Sequence, residues 1–281
     1  MRIICSIQGT KRVCRTAQKK GMSIGFVPTM GALHEGHMSL IRASVKENDF
    51  TVLSIFVNPI QFGKGEDFNK YPRTLEKDAK AAKKNGVDII FCPDMRSMYP
   101  DGYRTYVEVG SLQDNLCGVS RPGHFKGVVT VVAKLFEIVR PDRAYFGRKD
   151  AQQAAIIKKM AEDLNMDVRI RTMPTVREKN GLALSSRNTY LSYEEKKEAL
   201  VLYRSLKEAK RLYHTGETNA RRIISGMKKI IGSAASAKID YVKIADPRTM
   251  KDVRNLKGGE LAAVCVYIGK TRLIDNIILE K

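Results

Sequence analysis

PTMGALHEGHMSL, residues 28–40, is the stretch from which the fold class is read. Just before it, MSIGFV (22–27) is a short apolar run bounded by glycine, the mark of a buried strand. Just after it, Leu40, Ile41, Ser44 and Val45 recur at helical spacing. The chain has four histidines and places two of them, His34 and His37, three residues apart at this strand-to-helix turn. In open α/β sheets ligands collect where strands hand over to helices.

On either side, the same alternation repeats. FTVLSIFV (50–57) predicts a strand, RTLEKDAKAAKKNG (73–86) a helix closing on Gly86, VDIIFC (87–92) a strand and TYVEV (105–109) a short alternating strand. In GVVTVVAKLFEIV (127–139), Val128, Val131, Val132, Leu135, Phe136 and Val139 follow helical spacing. RAYFG (143–147), AQQAAIIKKMAEDLN (151–165) and MDVRIRTM (166–173) read as strand, helix and strand. This order predicts an α/β fold with a parallel sheet covered by helices.

The pattern changes near residue 176. LSYEEKKEALVLYRSLKEAKRLYHTG (191–216) predicts one long helix, opened by a Ser192–Glu195 capping box and stopped by Gly216. A second helix over 218–232 and three strands, IDYVKIA, LAAVCVYIG and RLIDNIIL, follow. The expected organisation is a domain over 1–175 and a smaller α+β domain over 176–281.

Composition narrows the function. Hydrophobic residues are 43% and charged residues 28% of the chain, a globular balance, and no apolar run is long enough to cross a bilayer. The start, MRIICSIQGTKRVCR, lacks the pattern of a signal peptide. Five scattered cysteines (Cys5, Cys14, Cys92, Cys117, Cys265) without a C-x-x-C fit a cytoplasmic protein better than a disulfide framework. The net charge of +20 is divided evenly: 28 basic and 18 acidic residues in 1–175, and 22 and 12 in 176–281, leave +10 in each. An even excess argues against a nucleic-acid footprint and is compatible with anionic small molecules.

His34 and His37 have three readings: half of a metal site, two ordinary residues at a helix start, or a phosphate-binding element. The third draws on the unpaired N–H groups and positive dipole end of a helix N-terminus, with Gly31 and Gly36 allowing close approach. Other stretches carry similar alternatives. FVNPIQF places Asn58 and Gln61 after the second strand; Asn-Pro is a common turn dipeptide, but an amide between Ile60 and Phe62 calls for a partner. RPGHFKG (121–127) is a basic Gly/Pro loop before an apolar helix. In FGRKDAQQ (146–153), Lys149 can meet a phosphate, Asp150 a ribose hydroxyl or a helix cap, and Gln152 or Gln153 a polar substrate. LALSSRN (182–188) offers two hydroxyls and a guanidinium, suited to a triphosphate or to a plain turn.

Taken together, PTMGALHEGH, FVNPIQF, YPRT, RPGHFKGV, FGRKDAQQ and LALSSRN make the chain resemble the pantoate–β-alanine ligase (pantothenate synthetase) family over essentially its full length. The His-x-Gly-His element is also shared with a wider nucleotidylyltransferase-like superfamily. The resemblance implies a Rossmann-like first domain, a smaller lid domain and a homodimer. It implies Mg²⁺-dependent formation of pantoyl adenylate from ATP and pantoate, then attack by β-alanine to give pantothenate and AMP. ATP contacts fall on Met30, Gly31, Ala32, Leu33, His34, Glu35, Gly36 and His37, on Gly147, Arg148, Lys149 and Asp150, and on Val176, Leu184, Ser185, Ser186 and Arg187. His37 is the implied proton donor, with His34 and Lys149 sharing the catalytic work. Gln61 would bind pantoate and β-alanine, and Gln153 and Asn58 pantoate. Two positions depart from the family: Arg148 stands for the usual Glu and Ala151 for an aromatic. A nucleotidylyltransferase of the cytidylyltransferase type is the competing enzyme reading, and a basic nucleic-acid-binding module the competing non-enzyme one. No specific nucleic acid and no membrane partner is expected.

Overall fold

The computed structural model describes residues 1–63 and 65–280. They form two compact units: Met1–Val109 with Arg121–Arg148 and Ile156–Pro174, and Gly110–Ser120 with Lys149–Ala155 and Thr175–Lys281.

In chain order the elements up to residue 173 are β1 (Arg2–Ile4), α1 (Ile7–Lys19), β2 (Ile24–Thr29), α2 (Glu35–Glu47), β3 (Phe50–Ile55), α3 (Leu75–Lys84), β4 (Ile89–Phe91), α4 (Met95–Met98), α5 (Cys117–Ser120), α6 (His124–Val139), β5 (Arg143–Gly147), α7 (Ala151–Asp163) and β6 (Arg169–Met173). The six strands make one sheet in the order β1-β4-β3-β2-β5-β6, with every neighbouring pair parallel. Ile24, Phe26, Val27, Val52 and Leu53 are fully buried, as strands covered on both faces require. Helix α6 is buried over most of its circumference, and Lys126, Lys134 and Glu137 share the narrow side that is not. The strand order reverses at β2, which has β3 on one side and β5 on the other, with Gly25 opposite Arg143. The carboxyl ends of β2 and β5 flank that switch point, the place where such sheets bind ligands.

The second unit contains α8 (Tyr193–Glu198), α9 (Leu200–His214) and α10 (Ala220–Ile231), then β7 (Ala237–Ala245), β8 (Glu260–Ile268) and β9 (Thr271–Leu279). The strands form an antiparallel sheet in the order β7-β8-β9. Leu202, Leu206, Ile223, Met227, Val264 and Val266 belong to one buried cluster. The fold is Rossmann-like α/β followed by a small antiparallel α+β unit.

Two local expectations are corrected. Residues 105–109 are not a strand; the Val107 N–H bonds to Thr130 Oγ1 of α6 at 3.0 Å, so a helix side chain serves its main chain. The long helix of 191–216 is two helices meeting at Ala199, although the Ser192–Glu195 capping box and the stop before Gly216 are present. The Glu198 carboxylate accepts from both Ser236 N–H and Oγ–H at that junction. Strand β1 and helix α1 also precede the first element read from the sequence. No helix among the described residues is long and apolar enough to cross a membrane.

Candidate active site

The turn between β2 and α2 is built from left-handed residues. Gly31 has φ +81° and Ala32 φ +50°. A side chain at position 31 would meet Ile55 Cγ2 at 3.0 Å and Asp78 Oδ2 at 3.1 Å, so both the conformation and the space demand glycine. Two successive N–H groups in such a turn make a concave anion site. Here the protein supplies the anion. Ala32 N–H donates to Asp78 Oδ2 at 2.9 Å and Leu33 N–H to Asp78 Oδ1 at 2.8 Å. Asp78, on α3, is 1% exposed and also accepts from Thr74 Oγ1. Sequence reading missed it, because an Asp in the first turn of a helix is an ordinary sight.

Helix α2 is capped by its own histidines. His34 is the N-cap: its Nδ1 accepts from Gly36 N–H at 3.1 Å, and His37 Nδ1 accepts from His34 N–H at 3.2 Å. This is a capping box made with imidazoles in place of Ser and Glu. It corrects the expectation of unpaired N–H groups here, since those of residues 31–34, 36 and 37 all have intramolecular acceptors. The same bonds assign the tautomers. A ring nitrogen that accepts carries no proton, so in neutral imidazole the proton is on Nε2. Both rings, with centroids 4.1 Å apart, therefore present Nε2–H donors. Glu35 is exposed and pairs with Arg42.

After β3, the turn Pro59–Gln61 brings Asn58 and Gln61 together. Asn58 Nδ2 donates to Gln61 Oε1 and to Gly127 O, each at 3.0 Å, and Tyr99 Oη–H donates to Asn58 Oδ1 at 2.9 Å. Burial pushes the Tyr99 phenol well above its ordinary value, so it stays a proton donor. Gln61 Nε2 donates to Met30 Sδ at 2.9 Å. Asn58, 1% exposed, thus has its side chain engaged in holding Gln61, while Gln61 reaches the β2 turn through Met30. Gly147 ends β5, and Arg148 beyond it is exposed.

The remaining candidates lie in the second unit. Lys149 and Asp150 form a turn before α7 and face each other at 3.9 Å, with side chains 19% and 45% exposed. Asn276 Nδ2, on β9, donates to Lys149 O at 2.8 Å. The two glutamines of α7 differ. Gln152 accepts from Cys117 N–H and donates to Leu112 O and Asn115 O, so its amide staples the 112–117 segment. Gln153 is half-buried beside it. Residues 176–184 double back, with Leu184 N–H donating to Val176 O at 3.0 Å and Arg177 bridged to Ala183. That brings Val176 and Leu184 together. Arg177 is held by Asp275 and lies 4.1 Å from the centre of the Tyr203 ring. Ser185 caps the short turn Ser186–Tyr190 by accepting from Arg187 N–H at 3.3 Å, which ties the serine pair to Arg187.

Among the described residues, no three His, Cys, Asp or Glu side chains converge as a metal-binding group. The five cysteines are all free thiols.

A family model for pantoate-beta-alanine ligase matches residues 2–278. The pantothenate synthetase of Acetivibrio thermocellus is 55% identical over 280 residues, covering 100% of both chains. The crystal structure of a Thermus thermophilus pantothenate synthetase superimposes with a TM-score of 0.96 at 41% identity, again over 100% of both chains. A Francisella tularensis pantoate-beta-alanine ligase, solved in complex with beta-gamma ATP and beta-alanine, gives 0.82 at 36% identity, covering 100% of this chain and 98% of that one. Sequence and fold agree along the whole length, and the chain belongs to the pantoate-beta-alanine ligase family, whose enzymes are carbon–nitrogen ligases.

Proposed function

We propose that the chain condenses (R)-pantoate with β-alanine through a pantoyl adenylate, releasing pyrophosphate and then AMP. The observation that carries this reading is the imidazole capping box, which makes both Nε2–H groups donors at the sheet's switch point. In the first step the pantoate carboxylate attacks the α-phosphorus of ATP. The nucleophile is already ionised, so the site needs positioning and charge neutralisation more than a base. Negative charge shifts to the departing pyrophosphate, where the Nε2–H donors of His34 and His37 and the ammonium of Lys149 are of use. In the second step the β-alanine amine attacks the acyl carbon, the acyl–phosphate bond breaks, and AMP leaves.

Residues 30–37, 147–150, 176 and 184–187 are the ATP-binding set in this reading, with residue 148 contributing its main chain and not its exposed side chain. Gln61 and Gln153 serve pantoate's hydroxyls, since an amide both donates and accepts; Gln61 also serves β-alanine, and Asn58 acts by holding Gln61. Mg²⁺ keeps several waters and binds largely through substrate phosphates, which fits a chain without a three-carboxylate cluster among its described residues. Asp150, half-exposed beside Lys149, is the carboxylate suited to add a ligand, and the ion would neutralise phosphate charge. The Francisella relative's complex with beta-gamma ATP and beta-alanine supports the substrate pair. In this reading the enzyme works in the cytoplasm as a homodimer.

The test is to supply ATP, pantoate and β-alanine and omit each in turn. Pyrophosphate should need ATP and pantoate only, and AMP and pantothenate should need β-alanine as well. ADP as product would overturn the adenylate route. Pyrophosphate release with no β-alanine-dependent AMP would favour a nucleotidylyltransferase.

A further inference from the structure

The reading above leaves RPGHFKG (121–127) without a task, yet its side chains converge on one residue. His124 Nδ1 lies 2.7 Å from the Gln61 carbonyl oxygen, and Arg121 Nη2 lies 3.4 Å from the same atom. Arg121 Nη1 is 2.9 Å from His124 Nε2. A guanidinium cannot accept, so His124 Nε2 is the acceptor and its proton sits on Nδ1, aimed at Gln61 O. Arg121 is itself gripped by both oxygens of Glu66, through Nε at 2.6 Å and Nη2 at 2.5 Å. One turn into α6, a side chain at Gly127 would fall 2.3 Å from Ile60 O and 2.6 Å from the Gln61 Cα and N. Only glycine lets the helix approach the turn this closely, and Gly127 O then receives Asn58 Nδ2.

We infer that His124 is a positioning residue for Gln61, and that Arg121, Glu66 and Gly127 complete the cradle. The inference rests on the reading of Gln61 as the pantoate-handling amide. Gln61 is held at its carbonyl by His124 and Arg121, at its backbone by contact with Gly127, and at its amide oxygen by Asn58. A functional amide works at its best when the groups behind it leave one orientation. Releasing the carbonyl lets the turn rotate and misplaces the side chain without removing it.

The experiment is a double-mutant cycle between His124→Leu and Gln61→Ala, read as kcat and as KM for pantoate and for ATP separately. His124→Leu should lower kcat/KM for pantoate by about tenfold or more, the scale of a lost buried hydrogen bond, with KM for ATP within about twofold. His124→Asn should recover most of that loss, because its amide can donate from the place of Nδ1. In the Gln61→Ala background His124→Leu should add little, since the residue it positions is gone. If His124→Leu does not fold, Arg121→Lys carries the same test: it keeps the charge but cannot hold Glu66 and His124 at once, and should show a milder loss confined to pantoate. Normal pantoate kinetics in the folded variants would overturn the inference. So would a full, additive penalty in the Gln61→Ala background, which would mean that His124 acts independently of Gln61. Normal pantoate use by Gln61→Ala itself would instead remove the parent reading, and this inference with it.

Discussion

The turns after β2 and β3 lie on neighbouring strands and hold their candidate site residues by opposite means. After β2 the backbone is clamped by a charge: the buried Asp78 carboxylate fills the concavity of Gly31 and Ala32, and two imidazoles cap the helix that follows. After β3 the clamp on the side chain is neutral: the Asn58 amide holds Gln61, with the Tyr99 phenol behind it. The first arrangement uses up backbone donors and substitutes imidazole N–H groups for them, which suits a substrate that gains negative charge as it reacts. The second fixes an amide that both donates and accepts, which suits hydroxyl recognition. A strand-to-helix turn is therefore not in itself a backbone phosphate site. What matters is which acceptors the rest of the chain has already brought to its N–H groups.

The largest effect should come from the histidines. Alanine at His34 or His37 should slow pyrophosphate formation by about 10²–10⁴-fold, the usual range for lost acid or electrostatic help. The same variants should convert supplied pantoyl adenylate and β-alanine with a far smaller penalty. His34→Asn separates capping from chemistry. Its side-chain oxygen can still cap Gly36 N–H, so thermal stability should be kept, but it lacks the Nε2 donor and should remain slow. A fast His34→Asn enzyme would reduce His34 to a helix cap.

Next comes the charged clamp. Asp78→Asn keeps the shape but presents an NH₂ group to one of the two backbone N–H donors. Stability should fall by about 1–3 kcal/mol, measured by denaturant unfolding. Pyrophosphate formation should slow at least tenfold, because the turn carrying His34 loses its anchor. Lower stability with an unchanged adenylation rate would show that the clamp serves the fold alone.

The cradle behind Gln61 should respond to acid. Burial would raise the Glu66 carboxyl, but the hydrogen bonds and charge of Arg121 outweigh it and hold the group below its ordinary value of 4.5. A carboxylate with a depressed folded value stabilises above the unfolded value, and that stabilisation is lost as pH falls through the folded one. Glu66→Gln should therefore cost about 1 kcal/mol at neutral pH and show a flatter loss of stability below about pH 4.5 than the unaltered chain. Parallel pH–stability curves for the two would remove Glu66 from the account.

The smallest effect is expected at Arg148, exposed at the end of β5. Arg148→Glu should leave steady-state activity within about threefold, as surface changes usually do. A collapse of ATP use would show that the arginine has been recruited to the nucleotide.

Most of the sheet was legible because buried parallel strands are continuous apolar runs between turn signals. The exceptions share a cause. β1 is three residues long, its residues are mostly exposed, and it is ordered by pairing with the distant β4, Arg2 opposite Ile89. Residues 105–109 alternate as a strand does, but alternation reports which side chains are buried and not what faces the main chain. There the partner is Thr130, a side chain of α6.

The site divides in the same way. Local pattern was enough to place the two histidines at the head of α2, the amides after β3 and on α7, and glycine at 31, because turn geometry and periodicity act over a few residues. What each group does with its hydrogen bonds was settled by the folded chain alone. Asp78 reaches the 31–33 turn across 45 and 46 residues, Gln152 is committed to the 112–117 segment 35 to 40 residues away, and His124 meets Gln61 across 63. Such partners leave no mark in local pattern, since a buried donor or acceptor requires a partner but does not specify from where in the chain it comes.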